Sequence, residues 1–186
     1  GYVPTALCRP SLMTLVTGQY AHAHGVTGND PSPKYAARDS ELYNQRRAQL
    51  ISYIDRFATL PELLQEKGYW CHQSGKWWEG NYRRGGFTEG MTRGFPNPGG
   101  RHGDDGLVIG RQGLEPIFDF IRRAQAEQKP FFVWYAPFLP HTPHNAPPRL
   151  QKLYEGQGRH PAEARYFANC TWFDESVGAV LDMLEE

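Results

Sequence analysis

Three residues could together carry a displacement at a negatively charged centre: Cys8, Lys76 and His141. Cys8 stands between an extended-looking apolar stretch, residues 1–7, and a helical pattern. The amides and dipole of a helix N-terminus stabilise negative charge, either a thiolate or an anionic substrate. Lys76 follows a strand-like segment and can neutralise an oxyanion as a point charge. His141, held between Pro140 and Thr142-Pro143, is of the side-chain type whose unperturbed pKa lies near neutrality, and it can act as a general acid. Each also has an ordinary reading. A cysteine can be a small buried hydrophobe, a lysine a solvated surface residue, and a loop histidine structural.

The elements that would position them favour the functional reading. Ser11 is a suitable N-cap, with Leu12, Leu15 and Val16 on one helical face before Gly18. Residues 25–38 read as a loop, and Leu42, Leu50, Ile51 and Ile54 suggest a weak amphipathic helix. Thr59 and Glu62 have capping-box spacing, with Pro61 in the first turn, a stripe of Leu60, Leu63 and Leu64, and Gly68 as the stop. Tyr69 to Ser74 then reads as a strand, and residues 79–112 as a long loop or insertion. Leu114, Ile117, Phe118 and Ile121 recur at helical spacing. The run from Phe131 to Ala136 is continuously apolar, as a parallel strand buried on both faces would be. A long helix follows Pro161. The order is α/β with parallel strands, and ligands of such sheets bind beyond the carboxyl ends of the strands. That places Cys8, Lys76 and His141 on one rim.

Composition removes several classes. Lys and Arg number 20, equal to Asp and Glu, so no net field recruits nucleic acid or an anionic membrane. No apolar run approaches the roughly 20 residues that span a bilayer. Aromatic residues make up 13% of the chain, which serves core packing and can serve ligand stacking. Three cysteines, Cys8, Cys71 and Cys170, cannot all pair within one chain. Asn169-Cys170-Thr171 fits a glycosylation sequon but falls on the predicted last helix, and is discounted. Asp104-Asp105 follows no apolar strand and reads as loop rather than metal site.

Four segments resemble the sulfatase family. Cys8-Arg9-Pro10-Ser11, continuing to Thr17-Gly18, is similar to the signature C-x-P-S-R-x-x-x-x-T-G. Gly75-Lys76-Trp77-Trp78-Glu79-Gly80 resembles G-K-W-H-x-G. Lys129-Pro130-Phe131-Phe132 through Pro140-His141 resembles K-P-F-F-L-Y…P-H, and Trp172 through Gly178 resembles L-D-x-x-V-G. The segments keep the family order and span nearly the whole chain.

The resemblance implies a three-layer α/β/α sandwich with a mostly parallel sheet, alkaline-phosphatase-like and incomplete at both ends, so that residues 1–186 are part of a catalytic domain. It implies hydrolysis of sulfate esters on a carbohydrate or aryl substrate. Cys8 would be oxidised by a formylglycine-generating maturation enzyme. One oxygen of the hydrated aldehyde accepts the sulfuryl group and the other expels sulfate. Lys76 would neutralise sulfate oxygens, His141 would protonate the leaving alcohol, and Trp78 and His144 would contact substrate. Calcium would be bound by Cys8 as formylglycine and by carboxylates outside this chain. The partner is a sulfated small molecule or glycan, with no nucleic acid and no membrane, and the family suggests a periplasmic or secreted location.

Leu12 stands where the signature has arginine, and Trp78 where the family has histidine. The expectation is that either another cation replaces that arginine, with Arg9, Arg83, Arg84, Arg93 and Arg101 as candidates, or activity is low. Two rival readings stay open: a phosphate or phosphonate ester hydrolase of the same superfamily, and a catalytically silent relative that binds sulfated ligands.

Overall fold

A computed structural model describes residues 2–97, 108–157 and 160–185. Residues 2–7 form bends rather than a strand, and α1 spans Cys8–Thr17. Its N-cap is Leu7, without a side-chain cap, so Ser11 lies inside the helix rather than at its start. The Ser11 amide bonds the Leu7 carbonyl, so the helix begins about one turn earlier than a Ser11 cap would place it. Gly18 ends α1 in the left-handed conformation.

After α2 (Ala21–His24), Ser40 caps α3 (Glu41–Ile51), which runs on into a 3-10 turn at Ser52–Arg56. Both halves of the Thr59/Glu62 capping box form at α4 (Leu60–Gln65). The buried stripe of α4 differs from expectation. Pro61 and Leu64, also three apart, face the core, while Leu60 and Leu63 are 40% and 49% exposed. In a helix of six residues the stripe is chosen by which face meets β1, not by its own leucines.

Strand β1 spans Trp70–Gly75, β2 Glu89–Gly90 and β3 Phe131–Ala136, and the sheet order is β2-β1-β3 with both pairings parallel. The expected loop at 79–112 therefore contains a 3-10 turn, Tyr82–Gly85, and the short edge strand β2. Two residues, one of them glycine, leave no periodic signal.

β1 and β3 run in register from Trp70↔Phe131 to Gly75↔Ala136. Alternation then sorts the apolar run of β3 into two layers. Phe132, Trp134 and Ala136 pack with Met13 and Val16 of α1, Val26, Ile54 and Leu64. Phe131, Val133 and Tyr135 pack with Ile117, Phe120 and Ile121 of α5 (Glu115–Ala126) and Met183 of α7 (Pro161–Glu185). Helices thus cover both faces, giving a three-layer α/β/α arrangement. Most of β3 is half-buried rather than fully buried, because among the described residues it is an edge strand. A short helix α6 (Pro148–Gln151) packs on α7 through Leu150, Ala146 and Ala168.

Candidate active site

The ends of β1 and β3 are joined at one level. Gly75 has φ +80, and a Cβ there would overlap the Ala136 carbonyl oxygen, so only glycine lets the two strands close so tightly. The Lys76 amide donates to that same carbonyl at 2.6 Å. The chain after Gly75 and the chain after Ala136 consequently leave the same edge of the sheet. Lys76, Pro140, His141, Thr142, His144 and Tyr166 line one open cleft of about 430 Å³ there.

Lys76 is partly buried at this edge. Desolvation pulls its ammonium below the ordinary lysine range, and the charge of a Cys8 thiolate pulls it back up. Cys8 itself is not among the residues that line the cleft. It is half-exposed, at the first position of α1, where the helix dipole is positive. No side-chain bond caps α1 at Leu7.

His141 is exposed, with its ring stacked on Phe138 at 4.4 Å between centroids and 21° between planes. Its Nδ1 lies 3.1 Å from the Thr142 carbonyl and 3.0 Å from the Thr142 hydroxyl. A carbonyl can only accept, so it favours the proton on Nδ1 and leaves Nε2 for the cleft. The Lys76 ammonium sits 5.2 Å from the centre of the same Phe138 ring. His144 faces the exposed Tyr166 edge-on at 5.5 Å. Tyr166 was not anticipated from the sequence, where it reads only as one position of the amphipathic helix.

Trp78 does not stand at the rim of this cleft. It is 4% exposed and lines a small crevice with Arg9, Leu12, Met13, Trp77 and Glu79. The two departures from the sulfatase pattern, Leu12 and Trp78, therefore meet in one apolar crevice. Arg9 is not the replacement cation. It is 1% exposed and bonded through Nε and Nη2 to both oxygens of Glu79. Arg84 is likewise committed, to Asp55. Arg101, Asp104 and Asp105 lie outside the described residues. Asn169 is fully buried and hydrogen-bonded within the fold, consistent with discounting the sequon.

Calcium, which the resemblance implied, finds no ligand set here. No group of three or more His, Cys, Asp or Glu side chains among the described residues is arranged to hold a metal ion. Among the described residues, no helix is long and apolar enough to cross a membrane.

The comparisons agree with the geometry. A family model described as Sulfatase matches residues 1–186. N-acetylgalactosamine-6-sulfatase from Canis lupus familiaris is 27% identical over 218 residues, covering 100% of this chain and 39% of that protein. Among solved structures, Ps i-CgsB superposes with a TM-score of 0.70 at 20% identity, over 99% of this chain and 46% of the other. Its complex with k-i-k-neocarrahexaose gives 0.68. The yidJ protein of Bacteroides fragilis gives 0.65 at 16% identity, over 98% and 49%. The chain thus spans less than half the length of these relatives, and the structural likenesses give it the alkaline-phosphatase-like fold. With its parallel sheet, its shared rim and a family match along its whole length, the chain belongs to the sulfatase family.

Proposed function

We propose that the protein carrying this chain hydrolyses sulfate esters of carbohydrates. The observation that supports the reading is the open cleft at the ends of β1 and β3 that Lys76 and His141 both line, with the charge of Cys8 felt at Lys76. The family generally depends on formylglycine and a metal ion, and Cys8 occupies the position of the residue converted. Were Cys8 converted, its hydrated aldehyde would supply one oxygen to take the sulfuryl group and a second to expel sulfate. Lys76 places positive charge against the sulfate oxygens, where it gains most as charge builds in the transition state. His141, with Nδ1–H on Thr142, would in its doubly protonated form present the Nε2 proton to the departing alcohol oxygen. Ester and water thus become alcohol and sulfate.

A sugar substrate is supported by the dog relative, whose name specifies a sulfated amino sugar, and by the cleft wall. Tyr166 and His144 present an aromatic surface of the kind on which a sugar ring can pack, polar at its edges. A formylglycine-generating enzyme and a periplasmic or extracellular location belong to the same proposal. Fractionation of the source cells tests the location.

The test is turnover of sulfated sugars by the intact protein. Conversion of Cys8 is read as a lowered mass of its peptide and as reactivity with an aminooxy probe. Cys8→Ala is expected to abolish turnover, and His141→Ala to lower it by on the order of 10²–10³, the cost of losing a group that acts in the transition state. Paired aryl sulfate and aryl phosphate assays separate sulfatase from phosphatase or phosphonatase. Sulfated-sugar binding without turnover of any ester would make the protein a silent relative. Full activity in Cys8→Ala would end the proposal.

A further inference from the structure

The segment that carries His141 has little regular structure of its own. It runs from β3 to α6 through Pro137, Pro140, Pro143, Pro147 and Pro148, and none of these residues has an amide to donate. Its own amides satisfy some of its carbonyls, such as that of Phe138 by the His141 amide, and others draw on side chains from elsewhere. Gln151 donates to the Ala146 carbonyl, and two further side chains, from different elements, reach the carbonyls around His141.

Arg111 reaches in from the turn before α5. Its Nη2 donates to the His141 carbonyl at 2.8 Å and to the Pro143 carbonyl at 3.3 Å, and its Nη1 to Asn145 Oδ1 at 3.1 Å. Its guanidinium lies 5.8 Å from the Phe138 ring and 5.9 Å from the Trp172 ring. Asn169 reaches in from the middle of α7. Its Nδ2 lies 3.2 Å from the Pro143 carbonyl and 3.4 Å from that of His141, and its Oδ1 accepts from the Ala146 amide at 3.0 Å. Asn169 is 0% exposed. A fully buried asparagine within a helix is costly unless its amide is bonded, and its partners all lie in the His141 segment.

We infer that Arg111 and Asn169 are positioning residues for His141, holding its backbone from two different elements so that the imidazole meets the leaving-group oxygen. The inference rests on the proposed role of His141 as general acid. Both residues donate to the carbonyl of His141 itself, and Phe138, which stacks on the imidazole, also lies against Arg111. Without the clamp the segment would turn its carbonyls toward water and carry the ring with it. Misplacing a catalytic group by about 1 Å costs on the order of 10²-fold.

The leaving group provides a readout that a merely structural role would not move. A sugar alcohol must be protonated as it departs, whereas 4-nitrophenolate departs readily without a proton. The experiment uses the intact, converted protein with a sulfated monosaccharide and with 4-nitrophenyl sulfate. In Arg111→Met and Asn169→Leu, kcat for the sugar sulfate is expected to fall about 10²-fold with KM little changed. Turnover of 4-nitrophenyl sulfate is expected to fall far less. Arg111→Lys should lie between, since it keeps the charge and loses the planar fork. If Asn169→Leu does not fold, the Arg111 pair carries the test. Equal losses on both esters, or no loss on either, overturn the inference. His141→Ala, run alongside, locates any failure. If it shows no preference for the good leaving group, the general-acid reading is wrong and the clamp's purpose falls with it. If it shows that preference and the Arg111 variants do not, the clamp alone is wrong.

Discussion

Arg9 and Glu79 form a buried ion pair, with Nε to Oε1 at 2.7 Å and Nη2 to Oε2 at 2.6 Å, although 70 residues separate them. Their side chains are 1% and 4% exposed. Arg9 directly follows Cys8, and Glu79 lies three residues beyond Lys76. The pair therefore ties the start of α1 to the exit of β1, and with them the proposed nucleophile to the proposed sulfate-binding cation. Burial pushes the Glu79 carboxyl up, while its bonds to Arg9 pull it down.

Glu79→Gln should be costly, because it leaves the Arg9 charge buried and uncompensated. Breaking such a pair from one side typically costs about 3–5 kcal/mol. Replacing both partners together, Arg9→Met with Glu79→Leu, should recover much of that loss. Denaturant unfolding of the intact protein measures both, and a loss below about 1 kcal/mol for Glu79→Gln, the range of exposed pairs, would contradict a buried pair.

Acid should weaken the fold through two histidines. Burial lowers His72 below its ordinary 6.5, against the opposing pull of Glu89, and burial likewise lowers His24. His72 donates to Glu89 from Nδ1, and its buried Nε2 has no partner, which suits the neutral ring. The unfolded chain then takes up protons first as pH falls. This stability is present above pH 6.5 and is lost as pH drops through 6.5 toward the depressed folded values. Unfolding free energy measured from pH 8 to 5 should fall on the acid side, and His72→Gln should flatten part of the slope. A flat profile in the unmodified protein would contradict the burial argument.

The cysteines should differ in reactivity. Burial pushes the Cys71 thiol up to about 11, and its sulfur rests against the Pro61 carbonyl. Cys8 and Cys170 are half-exposed. Iodoacetamide under native conditions is expected to spare Cys71 and to label Cys170, with Cys8 labelled only where it has not been converted. Peptide mapping reads this directly, and rapid native labelling of Cys71 would refute it.

Tyr166→Ala is expected to raise KM for a sulfated sugar several-fold while Tyr166→Phe changes it little. A lost aromatic contact is worth about 0.5–1.5 kcal/mol. Steady-state kinetics on the sulfated sugar would decide it. An unchanged KM in Tyr166→Ala would remove Tyr166 from the substrate surface.

What the sequence determined by itself was local. The Thr59–Glu62 box acts over one helical turn. The apolar run Phe131–Ala136 declares a strand covered on both faces, and the spacing from Tyr166 to Leu184 declares a long helix. The α/β order then carried Lys76 and His141 to one rim, because parallel strands end on one side. The tertiary structure alone decided which distant groups meet around it. Arg9 with Glu79, Leu12 with Trp78, and Arg111 with His141 are separated by 30 to 70 residues in the hydrogen-bonded cases, and no periodicity reaches so far. Periodicity tells which face of an element is apolar, but not what lies opposite. So Arg9 reads in the sequence as a spare cation near the nucleophile and Trp78 as a residue of the cleft, while the packing of α1 against the exit of β1 buries both.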